Sequence, residues 1–90
     1  MFRMWGKIFK ENRLVKDTVI CCEDLSLNRT RKVYATLDDI CVEFDLQTPI
    51  WLEKNKKEFI ELSKTRFHQD SFIEEIDFDF LEIQVIEEDY

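Results

Sequence analysis

Three carboxylates two residues apart, Glu75, Asp77 and Asp79, are the side chains whose type and spacing best fit a chemical role. In an extended chain, such neighbours point the same way and stand about 7 Å from one another. A row of this kind offers the oxygen ligands that Mg²⁺ or Ca²⁺ takes, although one strand rarely supplies a whole shell. The one histidine, His68, precedes Asp70 by two residues, and that carboxylate could orient its ring as a general base. Cys21, Cys22 and Cys41 complete the soft ligands.

Each group also has a plainer explanation. Zinc asks for about four ligands in a tetrahedron, usually with one close-spaced pair. Cys21 and Cys22 are adjacent, which turns their thiols to opposite faces of a strand, and no C-x₂-C is present. Cys41 falls on the apolar stripe of a predicted helix, where a thiol packs as a small hydrophobe. A lone histidine in a polar loop is ordinarily solvated, and an acidic row is ordinarily the wet face of a strand. No catalytic residue, metal ligand or cofactor is therefore assigned. Glu75, Asp77, Asp79 and His68 stand as the candidates for a metal-binding or small-enzyme reading.

The elements that would position these residues follow from periodicity. The C-terminal stretch IDFDFLEIQVIEEDY alternates apolar and acidic residues, which predicts a strand with one oily and one anionic face. Its parity flips between Phe80 and Leu81, so the strand is either bulged there or covered on both faces. Phe2–Lys10 reads as a strand, with a short basic amphipathic helix as the alternative. Lys10-Glu11-Asn12-Arg13 looks like a turn into the β-branched run Leu14–Cys22, which favours a hairpin. Val33, Leu37, Ile40, Cys41 and Phe44 have helical spacing, and Asn28 or Thr30 can cap the start. Pro49 interrupts, and a second helix is predicted from Trp51 or Glu53 to about Lys64, with Leu52, Phe59, Leu62, Ile60 and Phe67 toward the core. Thr65–Glu75 reads as a polar loop or a short extra turn anchored by Phe67 and Phe72. The expected architecture over residues 1–90 is one α+β domain, β-β-α-α-β, with about three antiparallel strands and both helices on one face.

Charge sharpens the strand order. The chain carries 13 basic and 20 acidic residues, a net charge of −7. Met1–Lys16 holds five cations against Glu11 alone, whereas Asp70–Tyr90 holds nine carboxylates and no lysine or arginine. Opposite charges favour each other across a ladder, so the acidic last strand is expected beside a central, basic first strand. Arg3 or Lys7 would then face an Asp or Glu of the last strand. The same acidity argues against nucleic-acid binding, which draws its affinity from Lys and Arg on phosphates.

Trp5-Gly6-Lys7-Ile8-Phe9, Pro49-Ile50-Trp51-Leu52, Thr65-Arg66-Phe67-His68-Gln69-Asp70 and Ile76–Ile83 together resemble a small bacterial family of the clostridial type, over nearly the full chain. The resemblance implies a cytoplasmic bacterial protein and brings no activity, ligand or catalytic residue. Asp79…Glu82-Ile83-Gln84 resembles the acidic strand of metal-dependent nucleases, with Gln where Lys is usual.

No run of about 18 apolar residues is present, so no membrane span is expected. The absence of a secretory pattern at the N-terminus reads the three thiols as reduced and the location as cytoplasmic. The leading expectation is a non-enzymatic protein-interaction module that self-associates, most simply as a dimer, with Trp5, Phe9, Phe78 and Phe80 at the interface. The other readings are the metal or enzyme site above and an acidic decoy for a basic protein partner.

Overall fold

A computed structural model of the chain describes residues 1–88. Asp89 and Tyr90, the end of the alternating stretch, lie outside the described residues. β1 (Phe2–Lys10) and β2 (Arg13–Cys22) form an antiparallel hairpin. Burial along β1 has period two at its start, with Phe2 and Met4 buried and Arg3 exposed, so Phe2–Lys10 is a strand rather than a basic helix. Glu11 and Asn12 make the two-residue turn, both at positive φ (53° and 64°), the twist that suits tight hairpins. The pairing runs in register from Phe2↔Cys22 to Ile8↔Lys16 and then slips to Phe9↔Leu14. Val15 is thus the extra residue of a bulge.

α1 (Arg29–Glu43) begins where the sequence places it: the Asn28 side chain accepts from the Arg31 N–H at 2.9 Å. It buries Val33, Leu37, Ile40 and Cys41. At its end Asp45 turns left-handed (φ 56°), and the Leu46 N–H reaches back to the Cys41 carbonyl at 2.8 Å. The Asp45 N–H donates to Val42 O, completing the usual closure of a helix C-terminus.

α2 (Glu53–Leu62) differs from the expectation. Asn55 and Phe59 face inward, while Ile60 and Leu62 are exposed. The helix stops at Ser63, whose φ of 56° turns the chain into β3 (Lys64–Phe67) before another inward turn can form. The inward polar residue is fully bonded. The Asn55 side chain accepts from the Leu52 N–H and donates to Thr65 Oγ1 and the Arg66 carbonyl. This amide locks α2 to a strand of only four residues, too short to show alternation in the sequence. The segment from Thr65 therefore opens as strand rather than loop, and the short extra turn allowed for there is a 3₁₀ turn at Gln69–Ser71.

β4 (Phe80–Glu87) begins later than the alternation predicts. Ile76 and Phe78 precede it and pack on the core edge from irregular backbone. The parity flip at Phe80-Leu81 is therefore the start of the strand and not a bulge. A bulge does occur at the other end, where Met4↔Val85 is followed by Arg3↔Glu87 and Ile86 is extra.

The fold is α+β with a four-stranded antiparallel sheet in the order β2-β1-β4-β3, one strand more than expected. The acidic last strand does lie beside the basic first strand: Lys7 pairs with Glu82 and Arg3 with Glu87. The core fills one side of the sheet, where Phe2, Met4, Ile8, Phe67, Leu81 and Ile83 meet Val33, Leu37, Ile40 and Phe59. α1 approaches β1 so closely that a Cβ on Gly6 would stand 2.6 Å from Ile40 Cγ2. Among the described residues, no helix is long and apolar enough to cross a membrane.

Candidate interaction surface

Alternation that sends Met4, Gly6 and Ile8 toward the core sends Arg3, Trp5, Lys7 and Phe9 to the opposite face of the sheet. Cross-strand neighbours extend this second layer. Trp5 lies between Val19 and Gln84, Lys7 between Asp17 and Glu82, and Phe9 opposite Phe80. Arg66 of β3 stands next to Glu82.

Two clusters organise this face. In the first, Lys7 Nζ is 2.7 Å from Glu82 Oε2 and 3.2 Å from Gln84 Oε1, and lies 3.8 Å from the centre of the Trp5 ring. Arg66 Nε holds the other Glu82 oxygen at 2.9 Å. Burial pushes the Glu82 carboxyl up, but hydrogen bonds and charge from Lys7 and Arg66 outweigh it and leave Glu82 below its ordinary range. In the second cluster, Phe9 stacks on Phe80 at 5.0 Å, with the Arg66 guanidinium 4.5 Å above the Phe80 ring and His68 at 5.3 Å. Trp5 Nε1 donates to Asp17 Oδ2 at 2.8 Å.

Beside this face runs an open edge. β2 has β1 on one side and no strand on the other among the described residues. Its first half carries Arg13, Lys16 and Asp17 and the bulge at Val15, the usual means of blunting an edge. Its second half, Thr18-Val19-Ile20-Cys21-Cys22, carries no charge and pairs with β1 without a slip. Val19 and Cys21 are exposed, whereas Ile20 and Cys22 are partly buried against the core.

Of the four expected interface aromatics, Trp5, Phe9 and Phe80 share this face. Phe78 lies elsewhere, edge-on to Phe72 at 5.9 Å. Glu75, Asp77 and Asp79 do not form a row on a strand face, because the strand begins after them; Asp79 accepts from the Glu11 N–H at 2.9 Å and so ties the hairpin turn to the start of β4. No group of three His, Cys, Asp or Glu among the described residues is close enough to hold a metal ion. His68 stacks near Phe80, while Asp70 pairs with Lys54 at 2.7 Å, and that hydrogen bond draws its carboxyl down. Cys41 is buried in the core, where desolvation pushes its thiol up to about 12.

No protein-family model matches the chain, and no significant match is found among curated proteins or solved structures. The β2 edge agrees with the expected central first strand, whereas Arg66 is the part that sequence patterning missed, because it belongs to a strand hidden by its shortness.

Proposed function

We propose that the protein is a non-enzymatic interaction module that self-associates by pairing β2 with β2 of a second copy about a two-fold axis. The observation that carries this reading is the uncharged, regular half-strand Thr18–Cys22 on an open sheet edge. Unpaired strand groups are a template for another strand, and identical strands related by a two-fold axis pair antiparallel. A register centred on Val19 sets Lys16 opposite Cys22 and Asp17 opposite Cys21, so no like charges meet across the junction. Val19 of each copy meets its counterpart, and Trp5, its neighbour in β1, borders the junction on both sides. Joining the copies makes one eight-stranded sheet, with the aromatic face of each copy continuous with the other.

Light scattering across a concentration series tests the reading. A dimer is expected at high micromolar concentration, converted to monomer by Val19→Lys, which places a charge on an already exposed position. A wild-type monomer at high micromolar concentration would sink the proposal. The bacterial, cytoplasmic setting implied by the sequence resemblance accompanies this proposal as its context and does not support it.

A further inference from the structure

The two helices cover different parts of the sheet, α1 lying on β1 and β2 and α2 on β3. Trp51, just before α2, fills the space between them. Its ring meets Phe67 at 5.0 Å, Phe59 at 5.4 Å and Tyr34 at 6.0 Å, each edge-to-face. A cleft of about 230 Å³ opens over this aromatic floor, walled by Val33 and Tyr34 of α1 and by Phe59 and Ile60 of α2. It lies on the helical side of the sheet, away from the β2 edge and the Trp5 face.

The charge of the lining runs against that of the chain. Carboxylates outnumber cations 20 to 13 overall, yet among the described residues none lines the cleft, whose charged groups are Arg29 and Lys56. Arg29 is already anchored, donating from Nε to Glu88 at 2.6 Å and from Nη2 to Ser63 Oγ at 3.2 Å, and it stacks over Phe59 at 5.4 Å. A guanidinium has five N–H donors, so this anchoring fixes its direction and leaves donors for a guest. Among the described residues the Lys56 ammonium pairs with Glu53 alone, at 3.4 Å on an exposed helix face, an arrangement of little strength.

We propose that this cleft binds a small aromatic anion, a carboxylate or sulfonate whose ring lies against Trp51 and Tyr34 and whose charge is held by Lys56 and Arg29. The ring gains from apolar burial and aromatic contact, and the anion adds the pairing that a neutral ring lacks. The volume is below the roughly 300–1,000 Å³ of drug-sized sites, which limits the guest to one or two rings.

The test uses the full chain, with 1-naphthoate as the anion and 1-naphthalenemethanol as its uncharged counterpart. Two-dimensional ¹H–¹⁵N spectra carry separate indole signals for Trp51, in the cleft, and Trp5, on the opposite face. Naphthoate is expected to shift the Trp51 signal saturably and leave Trp5 unmoved. The alcohol, and naphthoate on Lys56→Glu, should bind about tenfold more weakly. Added salt should weaken naphthoate and spare the alcohol, a readout that needs no variant. Equal affinity for anion and alcohol, a response centred on Trp5, or no saturation at millimolar concentration would overturn the proposal. Self-association through β2 is untouched by any of these results.

Discussion

Lys7 and Glu82 face each other across β1 and β4 with Nζ 2.7 Å from Oε2, on the side of the sheet that neither helix covers. Their side chains are nonetheless only 10% and 6% exposed. Trp5, Gln84 and Arg66 crowd around them and exclude water without a second layer of secondary structure. A charge pair in such a place contributes little against an apolar pair of the same shape, but losing one partner strands the other.

Glu82→Gln should therefore destabilise the fold by about 2–3 kcal/mol, since one neutral amide oxygen replaces the two charged oxygens that Lys7 and Arg66 now share. Lys7→Met with Glu82→Leu should cost far less than Glu82→Gln alone. Urea titration checks both. A double variant less stable than Glu82→Gln would show that the pair outperforms an apolar replacement.

The same carboxylate sets an acid limb. Its folded pKa lies below the ordinary 4.5, so the unfolded chain takes up the proton first as pH falls. The stability Glu82 contributes is thus fully present above about 4.5 and is lost as pH drops through the folded value. Between neutral pH and that range, the gap in stability between wild type and Glu82→Gln should stay constant; below it the gap should narrow. A gap that widens on acidification would contradict the sign.

The facing of Lys7 and Glu82 was legible in the sequence, because a basic first segment and an acidic last one favour adjacency in a sheet. The helix over Val33–Phe44 and the hairpin at Glu11-Asn12 were legible for local reasons, spacing and turn residues. Lys64–Phe67 was not, since four residues carry no readable period and abut a helix. The acidic triplet misled for a related reason: Ile76 to Phe80 alternates like a strand, yet Ile76 and Phe78 reach the core edge from irregular backbone. Periodicity reports which side chains are buried, and irregular chain can bury alternate residues too.

Gly6 is where the sheet and α1 come nearest. A methyl group there meets Ile40 Cγ2 at 2.6 Å, and Ile40 is itself fully buried. Gly6→Ala should cost about 1–3 kcal/mol by forcing the helix off the sheet. Pairing it with Ile40→Ala, which removes Cγ2 along with Cγ1 and Cδ1, should cost less than the sum of the two single changes. Thermal melts of the three variants decide this: an additive double variant would mean that the strain lies elsewhere.

Asp45 holds a left-handed conformation at the end of α1, a position glycine occupies without steric cost. Asp45→Gly removes that strain while keeping the Leu46-to-Cys41 hydrogen bond, and it removes a negative charge from the negative end of a helix dipole. A gain of about 0.5–1 kcal/mol in denaturant unfolding is expected, reduced by the extra freedom glycine gives the unfolded chain.

The three cysteines should separate by burial. Cys21 is exposed on β2, Cys22 is partly buried and Cys41 is closed in the core. Iodoacetamide on the native protein should alkylate Cys21 readily and leave Cys41 intact until unfolding, because only the thiolate reacts and burial keeps Cys41 protonated up to about 12. The raised value also makes an alkaline limb. The unfolded thiol ionises near 9.0 while the folded one does not, so stability is full below that pH and is lost progressively between 9.0 and about 12. Cys41→Ala leaves a small cavity but has no proton to lose. Its stability should therefore fall less steeply above pH 9 than that of the wild type, and parallel slopes across this window would mean that Cys41 titrates normally.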